Sequence, residues 1–98
     1  SYTGQIETAS DKTYIIDPSA ATDRTITGYY IKSGAGTVTA TLKNANDTVK
    51  AASVSTTSGD QSSLANTSVS AAATMSIVTS SNSSATDVVF SVEYTTIS

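Results

Sequence analysis

The sequence predicts an all-β fold: a small antiparallel β-sandwich, jelly-roll or immunoglobulin-like, of about six to eight short strands. Three observations carry this expectation. Val, Ile and Thr recur at period two, which suits strands on a half-buried pleated surface. Turn residues interrupt the pattern about every eight to twelve positions. No stretch longer than a turn holds apolar residues at helical spacing. The alanines of "SLANTSVSAAATM" (63–75) make it the best helical candidate, but its serines, threonines and β-branched valine disfavour a helix, so it reads as a loop leading into a strand.

Taken in order, residues 1–11 read as an N-terminal arm with an anchoring role, and residues 12–98 as one β-sandwich domain. "KTYIID" (12–17) is a short strand ended by Asp17-Pro18, because proline cannot continue a ladder. "RTITGYYIKS" (24–33) is the longest and most apolar strand. "GTVTATLK" (36–43) is expected to return from it as a hairpin through "SGAG" (33–36). "NAND" (44–47) is a polar turn, "TVKAASVSTT" (48–57) a weak strand and "SGDQSS" (58–63) a loop. "TMSIVTS" (74–80) and "DVVFSVEYT" (87–95) then form a second hairpin around the polar tip "SNSSAT" (81–86).

Alternation assigns the core. Val88, Phe90, Val92 and Tyr94 share one strand face and Val89, Ser91, Glu93 and Thr95 the other. Met75 and Ile77 face inward opposite that last strand, and Val38, Ala40 and Leu42 supply the partner sheet. In the 24–33 strand, Tyr29 and Ile31 lie on one face and Ile26 and Tyr30 on the other, so both faces are apolar. The strand is covered twice, or Gly28 marks a bulge that resets the alternation, or one face meets another subunit. On the last reading Tyr29, Tyr30 and Ile31 are the candidate subunit or partner contacts. Thr37, Thr39 and Thr41 align on one face of the next strand. Threonine is the polar residue best suited to a solvated strand face, and no internal repeat stacks this row into an ice-binding array.

Composition narrows the function. The chain has 98 residues, a net charge of −3, no cysteine and no histidine. Disulfides and thiolate metal sites are absent, as are the commonest metal ligand and the usual general base near neutral pH. Five scattered basic residues give no electrostatic footprint for nucleic acid or anionic membranes, and neither partner is expected. "SYTGQIETAS" lacks the basic and apolar regions of a signal peptide. No "GxSxG" elbow, "SxxK" pair or phosphate-cradling glycine loop occurs, and the carboxylates are dispersed. Asp11, Asp17 and Asp23 are close in sequence but lack the spacing of a calcium loop; they read as turn caps. The expectation is no enzyme, no catalytic residue, no cofactor and no metal. Of the five tyrosines, Tyr30 is the candidate for stacking a sugar. A short chain with a thin core also points to self-association.

"ITGYYIKSGAGTVTATLK", followed by "MSIVTSSNSSATDVVFSVEYT", resembles a small β-sandwich domain of virion structural proteins in tailed phages. The resemblance spans about residues 12–96 and departs at "KNANDT" (43–48), where such domains often carry an Asn-Gly type turn. It implies an exterior virion component, on the capsid or on head or tail fibres. The implied assembly is an oligomer, a homotrimer above all, in contact with the major capsid protein or a fibre. No catalytic residues carry over. The alternatives are a receptor- or glycan-binding tip of a tail fibre, which meets a host-surface glycan, and a cell-surface adhesin module.

Overall fold

The computed structural model describes residues 2–96. Its organising element is β8, Met75–Thr96, which has pairing partners on both flanks. A straight strand of these 22 residues spans roughly 70 Å at the usual rise, whereas the longest extent of the molecule is 40 Å. β8 therefore bends back on itself, and the sheet bends with it.

On one flank, β1 (Tyr2–Thr8) runs antiparallel to the second half of β8, and β2 (Thr13–Asp17) to the first half. On the other flank, β3 (Arg24–Lys32) pairs with the second half and β4 (Ala35–Asn44) chiefly with the first. β5 (Asp47–Val54) continues the sheet beyond β4, and the two-residue strands β6 (Asp60–Gln61) and β7 (Ser68–Val69) lie along the outer side of β3. The fold is all-β: one curled antiparallel sheet of eight strands, with no helix among the described residues. Residues 2–8, within the stretch read as an arm, form β1.

Both "SGAG" and "SNSSAT" differ from expectation. β3 and β4 do not pair with each other; they follow one another along β8. Residues 33–36 therefore turn a corner and do not reverse the chain. "SNSSAT" is the bulged middle of β8, not a hairpin tip. Ser81, Ser84 and Asp87 have φ of 50°, 53° and 51°, and the register against β4 slips between Ala35 and Thr37 and again between Thr37 and Thr39. Each slip inserts an extra β8 residue, which bends the strand. At the facing corner, Gly36 has φ +72°, and a Cβ there would sit 2.3 Å from the Ser84 carbonyl oxygen. Only glycine permits that approach. On the opposite flank Thr79 holds the bend through Lys12, whose N–H donates to its hydroxyl at 3.0 Å, and Asn82 donates to the Ala9 carbonyl at 2.8 Å.

The curl buries one core. Val38, Ala40, Leu42, Met75, Ile77, Val88 and Val92 are buried as alternation predicts, and Phe90 packs against them half-buried. In β3 the register against β8 breaks between Ile26 and Gly28, so the bulge reading holds: Ile26, Tyr29 and Ile31 all point inward and Tyr30 outward. Residues 63–75 form no helix, and β6 and β7 add short strand pairings that alternation did not reveal. "NAND" turns as expected: Asn44 faces Asp47, and Ala45 takes φ 53°.

Candidate functional site

The described residues enclose no cavity and no group of three acidic side chains placed to hold a metal. Of the three aspartates only Asp17 caps its own turn as expected; Asp11 and Asp23 instead hold backbone from far along the chain. Asp11 accepts from the Asn82 N–H at 3.0 Å, Asp17 from the Ser19 N–H at 3.1 Å and Asp23 from the Ala71 N–H at 2.7 Å. The candidate sites are therefore surfaces, one on each half of the sheet.

The first is the outer face of β2, the first half of β8, β4 and β5. Its register forms cross-strand rows. Thr13, Val78, Thr41 and Ala51 make one row, Ile15, Ser76 and Lys43 a second, and Ser80, Thr39 and Ser53 a third. The threonines of β4 are thus the middle of a neutral face of methyls and hydroxyls with one cation. Ile15 is 56% exposed there, the most exposed of the large apolar side chains among the described residues.

The second surface lies outside β1, the second half of β8 and β3. Thr3 and Tyr30 flank Ser91, and Asp60 lies across from Tyr30 on β6; Gln5 and Lys32 flank Val89. Tyr30 is 37% exposed, and its ring covers Gly59, where a Cβ would approach to 3.2 Å. The other two candidate contacts lie elsewhere. Tyr29 is only 2% exposed and donates its hydroxyl to the Ala40 carbonyl at 3.3 Å, and Ile31 is fully buried. Burial pushes the Tyr29 phenol well above the ordinary tyrosine range. Of the three, only Tyr30 has an exposed side chain.

Sequence reasoning missed a polar latch where four strand ends meet. Arg24, the only arginine, opens β3 and is buried. Its guanidinium lies 3.6 Å from the Asp17 carboxylate at the end of β2 and 4.4 Å from the centroid of the Tyr94 ring in β8. It also donates to the Tyr2 hydroxyl of β1, which in turn donates to Asp17. Burial, and then the hydrogen bond to Asp17, push the Tyr2 phenol up. A lone arginine at the head of an apolar strand was the available signal.

Comparison with family models, curated proteins and solved structures finds no match.

Proposed function

We propose that this chain is a non-enzymatic structural protein of a tailed-phage virion, acting through protein–protein contacts on the capsid exterior or as a head or tail fibre module. The observation that carries the reading is the face built on Thr13, Ile15, Val78, Thr41 and Ala51. It is broad, nearly uncharged and set on rigid paired strands, and an exposed isoleucine stands on it. Such a surface suits docking on another protein better than chemistry or the capture of a charged ligand. Its hydroxyl-rich remainder resists non-specific adhesion, and a cysteine-free chain resists redox change outside a cell. The test is cosedimentation of the purified chain with assembled particles. Binding that Ile15→Asp abolishes supports the reading; no binding to capsid or fibre removes it.

A second reading, a glycan-binding fibre tip, is favoured by Tyr30. A half-exposed ring beside Asp60 and Ser91 offers an apolar platform with hydroxyl partners. Titration with host-surface glycans separates the two: a decoration protein leaves the Tyr30 signals unmoved, whereas a fibre tip shifts them and loses binding in Tyr30→Ser.

A further inference from the structure

An open strand edge invites another strand, so proteins block their edges with short strands, charges, proline, bulges or covering loops. This chain covers or interrupts much of its other edges. The outer side of β3 is covered by β6 and β7, by the bond from the Ile31 N–H to the Gly59 carbonyl and by that from the Ile26 N–H to the Thr67 carbonyl. Ala65 donates to the Val49 carbonyl on the outer side of β5, and the Asn66 side chain donates to that of Thr48. β2 has only five residues, slips in register between Ile15 and Asp17, and stops at Pro18. β1 is different. Six of its seven residues pair with β8 without a slip, the unpaired Glu7 is its one charge, and nothing among the described residues bonds its outer side.

The register shows which backbone groups face outward. Ile31 sends its N–H to Gly59, away from β8. Its neighbours Tyr30 and Lys32 therefore address β8, at Ser91 and Val89. The alternate β8 residues Val88, Phe90 and Val92 address β1, at Ile6, Gly4 and Tyr2. The N–H and C=O groups of Thr3 and Gln5 are left pointing out from the edge; beyond Ile6 the alternation breaks, where Glu7 has no register partner, Asp87 has φ 51° and the Ala9 N–H turns to the Ala85 carbonyl.

We propose that two copies of this chain pair through β1, antiparallel, about a two-fold axis at Gln5. In this register Gln5 faces Gln5, Thr3 faces Glu7 and Gly4 faces Ile6. The outward N–H and C=O of Gln5 pair across the axis, and no like charges oppose each other. The inner face also fits. Phe90 crowds Gly4 so closely that a Cβ there would lie 2.7 Å from its ring. Ile6 of the second copy, opposite Gly4, adds apolar cover to that half-buried phenylalanine. A two-fold contact is isologous and closes as a dimer, not as the three-fold ring that the resemblance implies.

A single-strand contact is a small interface, so association depends on concentration. Light scattering across a concentration series, with amide exchange by NMR, tests the proposal. The mass rises from that of one chain toward that of two, and exchange at the Gln5 amide slows in step. Gln5→Pro removes an outward donor without touching a β1–β8 backbone bond, losing only the exposed 3.3 Å side-chain bond to Asp87, at an edge position that tolerates proline. It abolishes the rise. Gln5→Lys, which opposes two cations at the axis, does the same and serves if the proline variant does not fold. A trimer overturns the proposal, as does a dimer that survives both substitutions. A chain that stays monomeric, with its β1 amides protected only by another virion protein, overturns it too.

Discussion

The Arg24 guanidinium and the Asp17 carboxylate lie 3.6 Å apart at the junction of four strand ends, in a site that also holds Tyr2 and Tyr94. The pair is nearly enclosed: the side chains are 6% and 19% exposed. Removing one partner of such a pair strands the other charge in a poor solvent. Arg24→Met is expected to cost about 3 kcal/mol, and Asp17→Asn a similar amount. The double variant costs less than the sum, because neither charge is then left alone. Denaturant unfolding of the three variants measures this.

The buried phenols make the fold sensitive to alkali. Tyr29 and Tyr2 both have pKa values raised in the folded state. The folded chain therefore holds these protons more tightly than the unfolded chain, whose tyrosines titrate near about pH 10. Their contribution is fully present below that pH and is lost as pH rises above it. Tyr29→Phe is expected to cost about 1 kcal/mol at neutral pH through the bond lost to Ala40. It also makes the decline above about pH 10 shallower. Thermal melts from neutral pH to pH 11 show whether the two curves converge.

The corner at Gly36 is the least tolerant turn. An alanine there meets both a left-handed φ of +72° and the Ser84 carbonyl. Gly36→Ala is expected to destabilise by about 2–4 kcal/mol. Ala45→Gly, at the β4–β5 turn with φ 53°, is expected to stabilise by about 0.5–1 kcal/mol. Chemical denaturation of the pair checks that backbone strain differs in sign at these two turns.

Ile31 and Tyr30 are adjacent, yet their substitution is expected to differ in kind. Ile31 is fully buried, and Ile31→Ala should cost about 2–5 kcal/mol by leaving a cavity. Tyr30→Ser removes a ring that is 37% exposed and lies over Gly59, and should cost about 1 kcal/mol or less. Equal losses would mean that Tyr30 also holds the core.

These contrasts mark what period-two alternation can and cannot show. Val88 and Val92, Val38 and Leu42, and Ile77 were legible as core because each lies in an unbroken run where every second residue turns inward. Gly28 was legible as a possible bulge because both faces of its strand were apolar. The corners were not legible. A bend in a long strand and the tip of a hairpin need the same residues, Ser, Asn and Gly. The contacts that fix the bend come from far along the chain: Asn82 bonds to Ala9, and Thr79 to Lys12. The latch was hidden for the same reason, since Tyr2, Asp17, Arg24 and Tyr94 converge only after β8 has drawn four strand ends together. Tyr29 and Ile31 were candidate contacts because their strand was apolar on both faces. The slip between Ile26 and Gly28 instead turns them inward and leaves Tyr30 outside.

The proposed role of this chain is as a structural part of the outside of a phage particle. Immunogold electron microscopy of intact particles, with antibody raised against the purified chain, is the decisive test. A virion component places gold at regular positions on the capsid surface or along the fibres, lost when the gene is removed. Particles that stay bare while the label gathers on the bacterial cell surface would contradict that role and favour an adhesin.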